Sequence, residues 1–481
     1  MMTIRIAFHT AVIAVFVVVT LATANDAPRA TEPDDKAAAP APAAPMPPPT
    51  PAAGTVSFRR DIAPLLVEKC QACHGPDKSE SSFRVDTFAR LKTAGDNELA
   101  PFTAGKPDDS ELLRLIASDD KDERMPKDGE PLSAEQIALV KKWIEQGAAF
   151  DGGDENALLA SIVPRLPHPM PPEIYNHPTP VTALAFAPSG TELFAAGYNE
   201  ITVWNPADGT LIRRIKDVAQ RTHAIAFSPD GSLLAVASGT PGRLGEVVLL
   251  NPADGSLVKV LGKAADEIFD AQFSPDGKQL ATAGADRTIR IYDVASGKEL
   301  RAIENHADWV MAVAWSPDGS KIASASRDKT AKVFEAATGN LIATHSGHGE
   351  PVYGVAFKAD GEQVYSAGRD NKIRAWKTAD GANVGEIGGF GEEVYKLVNQ
   401  DGSLFASSAD KSVRQFRDND RGQVRQFDGQ NDWVYSVAVH PASKRVASGG
   451  YDGQVVVWNL EDGKPIATFL AAPNYAVPAA K

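Results

Sequence analysis

Val313-Ala314-Trp315-Ser316-Pro317-Asp318-Gly319-Ser320-Lys321-Ile322-Ala323-Ser324 places a turn between two short runs in which apolar residues alternate with others. Ser-Pro-Asp-Gly is turn chemistry: proline presets the backbone, aspartate caps its own turn, and glycine takes the left-handed corner. The alternation on either side predicts strands. The same turn returns as Ser228-Pro229-Asp230-Gly231 and Ser274-Pro275-Asp276-Gly277. Looser copies stand at Ala187-Pro188-Ser189-Gly190, Lys358-Ala359-Asp360-Gly361, Asn399-Gln400-Asp401-Gly402 and His440-Pro441-Ala442-Ser443. Seven units spaced near 42 residues thus run from about 177 to 470, which is the signature of a repeat array. A third strand follows each turn and ends near Trp204, Leu250, Tyr292, Phe334, Trp376, Phe416 or Trp458.

These units resemble WD40 repeats, and seven of them imply an all-β, closed seven-bladed propeller over 177–472. The Trp-Asp pair itself is absent, being Trp204-Asn205, Tyr292-Asp293 or Trp458-Asn459, and only Gly347-His348 keeps the Gly-His pair. Turn aspartates recur instead at Asp286, Asp328, Asp370, Asp410 and Asp452, with a structural job. The resemblance puts His348, Ser366, Asp370 and Trp376 in a hydrogen-bonded tetrad that satisfies buried polar groups, so His348 and His306 read as scaffold. Trp309, Tyr353, Tyr395 and Trp433 start inner strands near the channel mouth. They read either as an aromatic binding rim or as residues that simply favour strands.

Upstream lies a different kind of sequence. Phe58, Ile62, Leu65 and Leu66 recur at helical spacing, with Pro64 near the first turn, and this predicted helix leads into Cys70-Gln71-Ala72-Cys73-His74-Gly75. C-x-x-C-H is the c-type haem attachment pattern. Two thiols so spaced reach the two vinyl groups of one porphyrin edge, and the next residue sets an imidazole beneath the iron. A sixth ligand is then needed on the opposite face, and Met125 is the candidate, in the charged, turn-forming stretch Asp122-Glu123-Arg124-Met125-Pro126-Lys127-Asp128-Gly129. A loop methionine packed on a helix is the plain alternative, and His168 and His177 are possible substitutes. A thioredoxin-like pair would want a βαβ context, and a zinc site four ligands. Asp108-Asp109-Ser110-Glu111 introduces a second helix with Leu112, Leu113, Leu115 and Ile116. A third runs from the capping-box pair Ser133 and Gln136 to Gly147, burying Ile137, Leu139, Val140, Trp143 and Ile144. Trp143 either approaches the haem edge, packs on the first helix, or is an ordinary core aromatic.

Residues 56–151, with Ile62-Ala63-Pro64-Leu65, the 70–74 motif, Ser110-Glu111-Leu112, Met125-Pro126 and Trp143-Ile144-Glu145-Gln146-Gly147-Ala148, resemble the planctomycete-type cytochrome c domain. The resemblance implies a small all-α domain with one covalent haem c, thioether-linked through Cys70 and Cys73, with His74 and Met125 as axial ligands of the iron.

The remaining segments set the compartment. Arg5, the apolar run from Ile6, and Ala22-Thr23-Ala24 read as a signal peptide over 1–24, with an uncleaved membrane anchor as the alternative. Residues 25–55 are an Ala/Pro-rich disordered linker, 152–176 a second linker, and 473–481 a tail. The expected location is periplasmic or otherwise exported, with membrane association only through an uncleaved N-terminal segment. With 49 Lys and Arg against 62 Asp and Glu, a net charge of -13 and no basic cluster, nucleic acid is not an expected partner. The haem domain's 19 acidic against 14 basic residues favour a basic or neutral surface on its partner. Two functions follow. The first is electron transfer to a redox partner protein, with a protein partner docked on the propeller and no catalytic residues of its own. The second is a haem-linked oxidoreductase whose propeller holds a substrate or second cofactor at its axis. The repeats have no cysteine and no histidine recurring at one position, which favours the first.

Overall fold

Ser57 opens the helical region: its hydroxyl accepts the Arg60 amide at 3.0 Å and starts a π-helical turn, Phe58–Ile62. The coordinates are a computed structural model and describe residues 54–475, except 72, 76–78, 128, 166 and 265. The signal peptide expected over 1–24, the expected linker as far as residue 53 and the expected tail from residue 476 lie outside the described residues. Among the described residues no helix is long and apolar enough to cross a membrane.

The π-helical turn runs into α1 (Ala63–Lys69), with Pro64 in the first turn where its missing N–H costs nothing. Two short helices follow, α2 (Phe88–Leu91) and α3 (Glu111–Ile116). The capping box expected at Ser133 and Gln136 is present and opens α4 (Ala134–Glu145). Apolar faces from all of them meet in one cluster that includes Phe58, Leu66, Leu113, Ile116, Val140 and Trp143. Trp143 is a core aromatic: its indole N–H donates to the Ala149 carbonyl at 3.0 Å, and its ring lies 5.4 Å from Phe58 and 4.9 Å from Phe102. Asp151 ties the two ends of the region together by accepting the Ser57 hydroxyl at 2.5 Å and the Arg59 amide at 2.8 Å. The cluster also takes in α5 (Leu159–Ile162), where Leu159 is fully buried.

The β-rich region that follows contains five four-stranded antiparallel sheets and one of seven strands. Units one and two share the seven-stranded sheet because Leu211–Phe227 is a single strand. Its start pairs with Tyr198–Trp204 and its end with Leu234–Thr240. Asp217, at φ 63°, bends that strand without ending it. The final strand, Pro465–Leu470, pairs with Gln454–Asn459 within its own sheet. The first strands of successive units lie side by side, and Leu184–Phe186 of unit one lies beside Val434–His440 of unit seven. Val181, Leu184 and Leu193 share an apolar cluster with Ala447, Val455 and Val457 of that last unit.

The repeated turns work as their residues require. The Ser316 hydroxyl donates to Asp318 at 2.5 Å and accepts the Lys321 amide at 2.9 Å, while Gly319 takes φ 72°. The tetrad is present. His348 Nδ1–H donates to Asp370 (3.0 Å), its Nε2 accepts the Ser366 hydroxyl (2.8 Å), and Trp376 Nε1–H donates to the same Ser366 oxygen (3.1 Å). His306 repeats this with Asp328 (2.8 Å) and Ser324 (2.7 Å), Phe334 standing in the place of the tryptophan, so histidine does recur at one position in two units, against the sequence reading, but as scaffold with both ring nitrogens committed.

Candidate functional site

α1 delivers the chain to the cysteines. The amides of Cys73 and His74 both donate to the Cys70 carbonyl, at 3.2 and 3.0 Å, which holds these three residues close together. Gly75 must be glycine there, because a Cβ would stand 2.5 Å from the Gln71 carbonyl oxygen. The following loop is laced back onto the turn: the Glu80 amide donates to the Cys73 carbonyl at 3.0 Å and the Val85 amide to that of His74 at 2.8 Å.

His74 Nδ1 lies 3.2 Å from the Phe83 carbonyl oxygen. A carbonyl only accepts, so Nδ1 carries the proton, and in the neutral ring Nε2 keeps its lone pair. Nε2 has no hydrogen-bond partner among the described residues. A ring whose Nδ1–H is held by a backbone carbonyl is fixed in tautomer and orientation, as metal-ligating histidines are. Neither cysteine is in a disulfide; Cys73 is exposed, and Cys70 is half-buried. Burial, with a smaller contribution from Cys73, pushes the Cys70 thiol up to about 11. It is therefore a neutral thiol near neutral pH.

Met125 comes from the loop after α3, where its amide donates to the Leu115 carbonyl at 3.1 Å. Its half-buried side chain packs against the same apolar cluster as Cys70. The donor set fits a haem c: two thiols, an imidazole nitrogen with a free lone pair, and a thioether, beside an apolar wall. His168, the possible substitute, is engaged elsewhere, its Nε2 lying 2.5 Å from Glu246 in the repeat region.

The second set of candidates lies where the inner strands begin. Tyr353 and Tyr395 meet at 5.6 Å with their rings tilted by 34°, and Tyr395 meets Tyr435 at 4.9 Å. Trp433 meets Tyr451 at 5.7 Å, and Trp309 meets Phe269 at 5.4 Å under the guanidinium of Arg327. Phe269, Tyr435 and Tyr451 were not singled out by sequence reasoning. For Phe269 and Tyr435 the placement has a backbone cause: where each inner stretch begins to pair with the next strand, the register shifts across one residue, at His223, Phe269, Met311, Tyr353, Tyr395 and Tyr435; Tyr451 lies in the turn after Arg445–Gly450. A bulge re-aims the extra side chain. The spacing of 42 from Phe269 through Met311 and Tyr353 to Tyr395 was the available signal.

Comparison with known proteins agrees with both halves. The family description Planctomycete cytochrome C matches residues 70–129, and WD domain, G-beta repeat matches 172–205, 255–293, 297–335, 339–377 and 421–459. The intervals left unmatched hold the least regular units, one ending its third strand on Leu250, the other turning at Asn399-Gln400-Asp401-Gly402. No curated protein matches the chain. The chain therefore joins a planctomycete-type cytochrome c domain, which implies haem c binding, to a region of WD40 repeats.

Proposed function

We propose that this is an exported electron-transfer protein with one covalently attached haem c, whose repeats form a closed seven-bladed propeller that docks a partner protein. Cys70 and Cys73 are the thioether residues, and His74 and Met125 the axial ligands. The observation that carries the reading is His74, one residue after the second thiol, whose Nδ1–H is committed to the Phe83 carbonyl while Nε2 has no hydrogen-bond partner among the described residues. Haem, when bound, supplies a one-electron couple. The chain would supply the two cysteine side chains, the oriented imidazole and the apolar wall.

The domain limits of the reading are 56–151 for the cytochrome and 177–472 for the propeller. The bonds from Asp151 back to Ser57 and Arg59 support the first. For the second, support comes from the contacts between units one and seven, among them the Val181 amide on the Gly450 carbonyl (3.0 Å) and the Ser436 hydroxyl on the Val181 carbonyl (2.8 Å). The bulge-built aromatic end is where a partner would seat, since aromatic residues are enriched in contact surfaces. The test is a haem stain after denaturing electrophoresis of the exported protein and of C70A/C73A. Haem retained by the first and lost from the second is the expected result. Haem that washes out of the parent protein overturns the reading.

A further inference from the structure

Unit two carries a carboxylate that its own repeat does not need. Glu246 stands four residues before Leu250, the place held in other units by Thr288, Thr330 and Ser412. There a hydroxyl serves the turn aspartate, as Thr330 does for Asp328 and Ser412 for Asp410, each at 2.6 Å. Unit two has no turn aspartate, only Gly239-Thr240-Pro241-Gly242-Arg243, and its glutamate side chain is 1% exposed. A carboxylate buried that deeply is strongly destabilising unless it is paired.

Its partners come from outside the repeats. Arg165 grips Glu246 with two nitrogens, Nε at 3.0 Å and Nη2 at 2.9 Å, and His168 Nε2 lies 2.5 Å away. Arg165 and His168 also engage Asp217, through Nη1 at 2.5 Å and the His168 amide at 2.7 Å. Lys263, the cross-strand neighbour of Glu246, turns instead to the Val163 carbonyl at 3.4 Å. Burial works to raise the Glu246 pKa, but the hydrogen bonds from His168 and Arg165 and the Arg165 charge hold it down to about 2. Unit one shows the same device in part: buried Glu200 takes Tyr175 from the preceding segment at 2.5 Å, but its cation, Arg214, belongs to the repeats.

The other end of this segment belongs to the helical domain. Leu159 is fully buried in the helical core, its amide donates to the Asp86 carbonyl at 2.8 Å, and α5 packs against α1, the helix that leads into Cys70. Ile162 and Val163 rest on the same core. From Val163 to Arg165 is two residues, a span of at most about 7 Å. No slack separates the two attachments.

We infer that residues 159–165, together with His168, form a strap, rooted in the helical core and locked on Glu246, that holds the helical domain in one fixed attitude on the repeat domain. A partner seated on the repeats then meets the domain carrying Cys70, Cys73 and His74 at a fixed separation. The strap does not depend on the haem assignment.

The test is native-state trypsin digestion of the full-length protein, read by mass at the Arg165–Leu166 bond, together with small-angle X-ray scattering. In the unaltered protein that bond resists while the repeats stay intact. Glu246→Ala should speed cleavage there at least tenfold and enlarge the radius of gyration, with the thermal transition of the repeats retained; Glu335→Ala, an exposed glutamate of another unit, should change neither. If Glu246→Ala fails to fold, His168→Ala, which keeps the Arg165 pair, decides, with a cleavage gain of a few-fold. Cleavage of the unaltered protein at the rate of an unstructured peptide overturns the strap. So do variants that fold yet alter neither cleavage nor scattering.

Discussion

The helical domain and the repeat region use histidine in opposite ways. His306 and His348 each spend both ring nitrogens, Nδ1 on an aspartate and Nε2 on a serine hydroxyl, and both are buried. His74 spends only Nδ1, on a backbone carbonyl, and is half-buried. A ring with two committed nitrogens is a strut between strands; one with a single committed nitrogen is oriented for something else. The difference separates scaffold from site without reference to sequence pattern.

The sharpest way to break this comparison is to exchange the losses. His74→Ala should abolish the low-spin haem spectrum while leaving the thermal transition of the repeats in place, and His348→Ala should do the reverse. A haem spectrum that survives His74→Ala removes the distinction. Next in size is the thiol chemistry. In haem-free protein at pH 8, Cys70 should alkylate on the order of 100-fold more slowly than an ordinary thiol, because a pKa near 11 stands about two units above the usual value. Each unit of added pH should speed it about tenfold until the pH approaches 11. Mass spectrometry of iodoacetamide-treated protein reads this directly, and equal labelling at Cys70 and Cys73 would show Cys70 to be far more open than its packing indicates.

The scaffold side predicts smaller effects. Ser366→Ala leaves His348 Nε2 and Trp376 Nε1 buried without their shared partner, at a cost of about 2–3 kcal/mol in the unfolding of the repeats. Acid should act on the same network. Despite burial, the His348 and Arg374 contacts hold the Asp370 carboxyl below the ordinary range. A carboxyl depressed in the folded state contributes stability above its unfolded pKa and loses it as pH falls through the folded one. The thermal midpoint should therefore drop as pH falls below about 4. In His348→Ala, where Asp370 has lost one partner, the acid slope should be shallower; an unchanged slope would place the acid sensitivity elsewhere.

Much of this arrangement was legible in the sequence, for reasons that differ by residue. Cys70, Cys73 and His74 are read by spacing alone, because the chemistry demands it. Ser133 and Gln136 announce a helix start because capping is a local bond between neighbours. His348, Ser366, Asp370 and Trp376 were found through the resemblance, which carries a register that no local rule supplies. The aromatic end was only half visible. Tyr353 and Tyr395 could be picked out, but the bulges that aim them fall on histidine, phenylalanine, methionine and tyrosine alike, and so leave no residue-type signature. Nor could the sequence show that Leu211–Phe227 would stay one strand, since that depends on Asp217 accepting a left-handed backbone. Nothing local marks Glu200 and Glu246, because their partners Tyr175, Arg165 and His168 reach them only on folding.

The smallest effect bears most finely on the comparison, because the repeat region contains its own control. Phe334 stands where Trp376 does and offers no N–H, yet His306, Ser324 and Asp328 keep the same bonds beside it. The indole bond to Ser366 is thus an addition to a network that closes without it. Trp376→Phe should cost only about 1 kcal/mol, from one lost hydrogen bond and a slightly smaller buried ring, since the Ser366 hydroxyl still donates to His348. Phe334→Trp should not recover that amount, because the His306 network already leaves no polar atom waiting. If Trp376→Phe instead cost as much as Ser366→Ala, the indole would be holding His348 in place, and the strut in that unit would run through the tryptophan.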